Sequence, residues 1–471
     1  MNRLYLSAYL AILCSMTSLA QQWELVGQFG PNGLVSKIYG DSVMNKLIIS
    51  GKFRHYDSLF VYGICTWDGV AIQGVGDSLY CVGSCTGAGD IVRLGDYIYL
   101  GLLGTDDFVN HDFNGICRWD GDEWSNLLGD DLVGFGDDGV AFGLNVIGDK
   151  IYVTGVFKAA NDQPATNIAV WDGYAWDGIQ MPGIQFALLY CAEKHNGKYY
   201  FAGNMEYESS DGQLHSDILE YDGENWNPMN FNSPSSGITD MVIYKDELYI
   251  SGGFQHYEGN AGDKILKLHN GEWVQVGVTG LGYGIIHDMQ VYQDELYVGG
   301  YFEFVDVGVP AQNIAKWDGE KWCSLGNDFL VTIQALAVWN NDLYVAGSYS
   351  ENNGQPPLIQ KLYRWAGGDY VESCGEPIAT QLPPHQASTL RIHPNPVHDS
   401  RLTAEYPDWV DETAAITIFN SMGLPILYQE GQMSGGRLEI TLPEALGSGY
   451  YTVSIWCARR GERIVQRFVR M

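Results

Sequence analysis

Tyr56 next to Asp57, Phe108 and Phe113 on either side of a His-Asp pair, Tyr207 after Glu206, and Tyr257 next to Glu258 combine types that suit chemistry with a ligand. Aromatic faces stack on sugar or side-chain surfaces, and neighbouring carboxylates accept from hydroxyl and amide groups. The set Tyr56, Asp57, Phe108, Phe113, Tyr207, Tyr257 and Glu258 therefore reads as a binding surface for a carbohydrate or a peptide; an ordinary polar rim is the plain alternative. Asp130, Asp131, Asp137 and Asp138 crowd one Gly-rich stretch and offer the oxygen ligands that calcium prefers, although not at EF-hand spacing. No other cofactor is implied. No nucleophile elbow, H-E-x-x-H pair or phosphate-binding glycine loop occurs, so no catalytic residue is nominated.

Charge and cysteines narrow the classes further. The net charge of -31 is concentrated before residue 390, where 18 basic side chains face 48 acidic ones, against 8 and 9 beyond it. Such a body repels phosphate backbones, which argues against nucleic acid as a partner. Nine cysteines are present, Cys14 within the first twenty residues. Sequence cannot choose among the many pairings of the others; Cys81 with Cys85, inside one loop, is the pair that proximity favours. Cys65 and Cys117 share a repeat position and read as buried thiols.

The elements that must position these side chains are set by a repeat. "TWDG" at 66, "RWDG" at 118, "VWDG" at 170, "EYDG" at 220, "LHNG" at 268, "KWDG" at 316 and "RWAG" at 364 are spaced by 52, 52, 50, 48, 48 and 48 residues. Upstream of each lies a strand-like run of alternating aromatic and β-branched residues, such as "ELYVGGYF". One unit reads as four strands with hairpin turns, and seven units packed radially bury what one cannot. The expected fold is all-β: a seven-bladed β-propeller over 21–375, then a linker over 376–389 and a small β-sandwich over 390–471. Gly69, Gly121, Gly173, Gly223, Gly271, Gly319 and Gly367 are expected to supply turns with positive φ, and Phe53, Phe157, Phe254 and Phe302 to be core. "WELVG" at 23 looks like a fourth strand without its first three, so it is expected to close the ring on the last unit, in competition with "DYVES" at 369. His55 and His256 occupy equivalent repeat positions, with His111 in the matching loop of the second unit; shared repeat ancestry explains the match better than a metal site does. The long connections after second and fourth strands gather on one face, which is where function is expected.

These units resemble the kelch-like propeller repeats, of the "LYVGGxF … niAxWDGxxWxxLG" kind, of exported Bacteroidetes proteins. The resemblance implies a propeller and says little of activity. "MNRLYLSAYLAILCSMTSLA", with Arg3, an apolar run and small residues Ser18 and Ala20, reads as a signal peptide over 1–20. The end of the chain resembles the type A sorting domain of the type IX secretion system. The match rests on "IHPNPVHDSRLTAEY" with Pro394, Asn395 and Pro396, "ITIFNSMGLPILY" with Gly423, and "LGSGYYTVSIW" with Gly449 and Tyr450. That likeness implies recognition by the type IX secretion machinery, removal of the tail, and release or attachment to surface lipopolysaccharide. The expectation is a binding protein, secreted or on the outer cell surface by way of the periplasm, that presents a variable propeller face to a glycan or protein ligand. A secreted polysaccharide-active enzyme, with two carboxylates about 5–10 Å apart in the propeller centre, and a structural cell-coat protein are the alternatives.

Overall fold

The computed structural model describes residues 23–29, 34–61, 63–75, 88–103, 113–127, 131–133, 139–181, 183–208, 214–229, 237–254, 264–277, 284–302, 304–305, 309–311, 313–325, 332–352, 355–365, 374, 391–395, 397–398, 400–406, 409–410, 412–419, 425–443, 446–447, 449–457 and 462–470. Two compact units divide the chain, Met1–Pro377 and Ile378–Met471.

The first unit contains, among its described residues, seven four-stranded antiparallel sheets. The sixth shows how the sequence makes one. Gly284–Tyr292 and Glu295–Phe302 are joined by Gln293-Asp294, whose φ values of 50° and 63° give the twist a two-residue hairpin needs. After a connection, the Asn313 N–H donates to the Phe302 carbonyl at 2.9 Å, and Ile314–Trp317 pairs back onto the second strand. The Asp318 carboxylate then accepts from the N–H groups of Glu320 and Lys321 at 2.8 and 2.9 Å while Gly319 takes φ 105°, which starts the outer strand Trp322–Ser324. Asp68, Asp120, Asp172 and Asp222 hold the same turn in other sheets. The Trp-Asp-Gly repeat is thus a turn, with positive φ at every expected glycine except Gly367, which lies outside the described residues.

Both faces of these sheets are apolar, and each is covered by a neighbour. Tyr249 and Ile265 of the fifth sheet pack with Val298, Trp317 and Trp322 of the sixth. Val35 and Leu47 of the first pack with Ala335 and Tyr344 of the seventh. The inner strands Leu34–Asp41, Ala88–Leu94, Val140–Ile147, Ile184–His195, Ile238–Tyr244, Gly284–Tyr292 and Ile333–Trp339 lie side by side in that order, and the last returns to the first. Phe53, Phe157, Phe254 and Phe302 are buried, as are Cys65 and Cys117, which are free thiols.

The N-terminal strand Trp23–Gln28 is the outer strand of the seventh sheet, paired with Gln355–Trp365. Trp23 is 2% exposed and packs between Leu325 of the sixth sheet and Leu343 of the seventh. Arg364 pairs with both Glu24 and Asp342, which ties the two ends of the unit together. "WELVG" therefore holds the place for which "DYVES" competed; residues 369–373 lie outside the described residues. Cys374 forms a disulfide with Cys323 on the outer strand of the sixth sheet, across 51 residues. Cys81 and Cys85 lie outside the described residues.

The second unit is a β-sandwich. Arg391–His393, Arg401–Glu405 and Arg437–Thr441 form one antiparallel sheet; Pro425–Met433, Glu412–Phe419, Gly449–Cys457 and Glu462–Arg470 form the other. Ile392, Leu402 and Ile440 of the first meet Ile416, Val453 and Ile455 of the second in one core. Asn395 Oδ1 accepts from the Val469 N–H at 2.9 Å and the Val397 N–H donates to the Val469 carbonyl at 2.7 Å, which binds the Pro-Asn-Pro segment to the final strand. Gly449 and Tyr450 pair with Arg470 and Val469 on that same strand, whereas Pro396 and Gly423 lie outside the described residues.

Trp23→Ala removes the largest side chain of the closing strand. It is expected to destabilise the first unit by about 3–5 kcal/mol, read as a lower denaturation midpoint and as earlier proteolysis at the N-terminus.

Candidate functional site on the inner strands

All seven inner strands carry a one-residue bulge at one register position. The pairing skips Ser36, Gly89, Phe142 and Tyr190 in the first four sheets, and Thr239, His287 and Gln334 in the last three. Among the described residues the inner strand's other edge has no sheet partner, and these residues stand out of the ladder beside that edge. A bulge re-aims a side chain in this way, and bulges gather next to functional sites.

The residue after each bulge contributes a second layer, and here the charge is concentrated. Lys37 Nζ of the first sheet lies 3.5 Å from Asp90 Oδ1 of the second and 3.4 Å from Asp288 Oδ1 of the sixth. Both oxygens being within reach of one nitrogen, they lie no more than about 7 Å apart. Asp240 of the fifth sheet and Cys191 of the fourth occupy the same register position. Each carboxylate also ties its sheet to the next: Asp90 Oδ2 accepts from the Leu144 N–H at 3.1 Å, Asp240 Oδ2 from Met289 at 2.7 Å, and Asp288 Oδ2 from Leu336 at 2.6 Å. The remaining oxygens are engaged as well. Asp90 Oδ1 and Asp240 Oδ1 accept from the N–H groups of Ile91 and Met241, and Asp288 Oδ1 from Lys37. Lower on the inner strands, Arg93 pairs with the buried Asp41 between the first and second sheets.

Electrostatics follow from one cation shared among three carboxylates. Burial alone would depress the Lys37 pKa, but Asp288, Asp90 and Asp240 outweigh it and hold the ammonium above its ordinary value. Burial, reinforced by the Asp288 charge, pushes Asp240 up to about 8 against the opposing pull of Lys37 and two N–H groups. Burial raises Asp288 too, with Lys37 and the Leu336 N–H opposing. Cys191 is held well above the usual thiol range by burial and by the Asp240 charge, so it is not a nucleophile.

The residues expected to bind ligand are placed differently. Tyr56 is 5% exposed and Phe113 is 6% exposed; both are core side chains, which corrects the reading of them as surface rings. The physical reason for Tyr56 is ring closure. It packs edge-on against Phe29 at 5.1 Å and lies directly over Gly27, where a Cβ would fall 1.9 Å from its hydroxyl. Phe113 fills the interface of the first two sheets with Ile64 and Leu102. Asp57 is exposed in the tight turn between His55–Tyr56 and Leu59–Phe60, and its N–H donates to the Gln28 carbonyl at 2.7 Å. That hairpin exposes Phe60 instead, with its ring 4.2 Å from His55. Tyr207 pairs with His215 across two strands. Phe108, His111, His256, Tyr257 and Glu258 lie outside the described residues, as do Asp130, Asp137 and Asp138. Asp131 is fully buried, and its carboxylate accepts from the Leu127 N–H at 3.1 Å and the Trp176 Nε1–H at 3.4 Å. The described residues hold no group of three or more metal-ligating side chains.

The inner-strand layer escaped the sequence reading, although a signal exists. Aligning the units on their first hairpin turns puts Lys37, Asp90, Asp240 and Asp288 in one column.

Two outcomes test the layer. The proton on Asp240 favours the folded state fully below about pH 4, and this contribution is lost as pH rises through its folded pKa of about 8. Asp288, and Asp217 at about 7, act with the same sign. Asp240→Asn is expected to flatten that decline and to melt above the wild type at pH 9; identical pH profiles would show that another group titrates. Lys37→Met leaves partly buried carboxylates without their cation and is expected to cost about 1–3 kcal/mol at neutral pH, and less at pH 4.

No family model matches the sequence, and no curated protein matches it. Among solved structures, the chain is similar to an exo-β-1,3-galactanase from Phanerochaete chrysosporium with galactose, at 10% identity over 72% of this chain and 98% of that one, with a TM-score of 0.26. A variant of the same enzyme with β-1,3-galactotriose gives 8% identity over the same shares and a TM-score of 0.25. Neither likeness is close enough to carry an argument about this chain.

Proposed function

We propose that the first unit is a seven-bladed β-propeller that binds a glycan or a protein at the end of its axis where the long connections gather. The observation that supports binding over hydrolysis is the state of the three inner carboxylates. All six of their oxygens have protein partners: three accept from N–H groups of the next sheet, two from the following N–H of their own strand, and one from Lys37. A general acid or base must offer an oxygen to the substrate, and these are committed to the frame. The second reading, a polysaccharide-active enzyme, draws on one specific observation. Asp240 is held at about 8 by burial and by the Asp288 charge, and a carboxylic acid that keeps its proton at neutral pH is what the general acid of glycoside hydrolysis requires.

The same proposal assigns residues 1–20 to an export signal and the second unit to type IX sorting, with the secretion machinery as its partner and the outer surface or medium as its destination. Support comes from the sequence motifs and from the way the Pro-Asn-Pro segment and Gly449-Tyr450 both join the final strand.

The full chain on glycan and protein arrays is expected to give saturable binding with no change in the ligand. Release of shorter saccharides, abolished by Asp240→Asn, would favour the enzyme. In a host with type IX secretion, removal of 390–471 is expected to trap the chain in the periplasm; unaltered export would remove the sorting role.

A further inference from the structure

The bulge is the same in all seven sheets, but the residue placed on it is not. Around it the repeats agree: the position before the bulge is aliphatic in each sheet, as at Val35, Ala141, Leu189 and Ile286, and the facing strand carries a small residue, as at Ser50, Gly101, Ser251 and Ala346. A constant frame thus presents a lining that differs at every step. We propose that this lining is a subsite for the terminal residue of a neutral glycan, entered from the end of the axis where the long connections gather. The inference rests on the binding reading above and names its ligand class.

Chemistry selects the class. Phe142 and Tyr190, bulged residues of adjacent sheets, bring their rings to 5.1 Å and offer faces on which the C–H groups of a sugar can stack. Burial keeps the Tyr190 phenol protonated and lowers the pKa of His287, so that the imidazole is neutral, with one donor and one acceptor. The Thr239 hydroxyl donates to the Ile286 carbonyl at 2.7 Å, so it offers a ligand only an acceptor. Gln334 adds an amide with both functions, and Gly89 adds no side chain. This mixture of donors and acceptors without fixed charge matches a polyol. All of these residues are half-buried rather than sealed in the core.

The layer beneath sets charge and depth. The Lys37 ammonium is engaged by Asp90 and Asp288, and the chain carries a net charge of -31, a combination that disfavours anionic saccharides. Lys37 reaches from the first sheet to the sixth, so it crosses the enclosed space and forms a floor. A floor admits the end of a saccharide and excludes its middle. The bulges lie toward the start of the inner strands, the end at which the connections from the preceding sheets arrive.

The full-length chain, titrated calorimetrically with neutral oligosaccharides selected on a glycan array, tests this. Affinity is expected to fall at least tenfold in Tyr190→Ala and in Gln334→Ala, each with a near-native melting temperature, and to be unchanged in Phe60→Ala on the exposed hairpin. Should Tyr190→Ala fail to fold, Gln334→Ala carries the test. A glycan bound equally by both inner variants and lost in Phe60→Ala would overturn the proposal and leave the binding reading standing. Preference for a uronic-acid polymer, or for internal segments over chain ends, would overturn it as well. A folded chain that takes neither saccharide nor protein would remove the binding reading and this inference together.

Discussion

A four-stranded sheet with apolar residues on both faces cannot exist alone in water, and the rest of the first unit follows from that constraint. Each face must be covered by the face of another such sheet, and a row of seven leaves two faces bare unless the last meets the first. The packing of Val35 and Leu47 against Ala335 and Tyr344 is that meeting. The strand Trp23–Gln28 completes the seventh sheet from the other end of the unit, so that chain connectivity and sheet packing close at one place. The Glu24 and Asp342 pairs with Arg364 lie in the seventh sheet at that junction, and the Cys323–Cys374 disulfide holds the chain beyond it to the outer strand of the sixth.

Closure of the inner strands has an electrostatic consequence. Side chains far apart in sequence are forced into one enclosed space, where water is scarce and charges interact strongly. Lys37 and Asp288 are separated by 251 residues and meet at 3.4 Å. Carboxylates that would repel one another are tolerated because each also accepts backbone N–H groups from the next sheet, which turns a potential liability into a set of struts. The same enclosure raises Asp240 to about 8 and keeps His287 neutral. Stability and site chemistry are therefore coupled through one layer of residues.

Aromatic residues in the connections illustrate how composition misleads. Tyr56 and Phe113 lie in loop-like sequence and look like ligand platforms, yet both are core. Their neighbours on the surface, such as Phe60, carry the same kind of ring. A hairpin of two residues per strand has too few positions for alternation to reveal which side is inward, so the distinction depends on what packs over it. For Tyr56 that is Gly27, from the opposite end of the sheet order.

The sequence by itself determined what repeats. Seven units, the Asp-Gly turns, the buried Phe53, Phe157, Phe254 and Phe302, the Trp23 strand as a fragment in want of partners, and the change of character before the C-terminal sandwich were all legible, because hydrophobic period and turn chemistry are local. Tertiary structure alone decided which residues converge. The bulges at Tyr190 and Gln334, the Lys37 cluster and the Cys323–Cys374 bond depend on how neighbouring sheets are registered and on how the round of sheets closes. No window of sequence contains that information, since the energy of a charge or a ring is set by partners that only packing brings within a few ångströms.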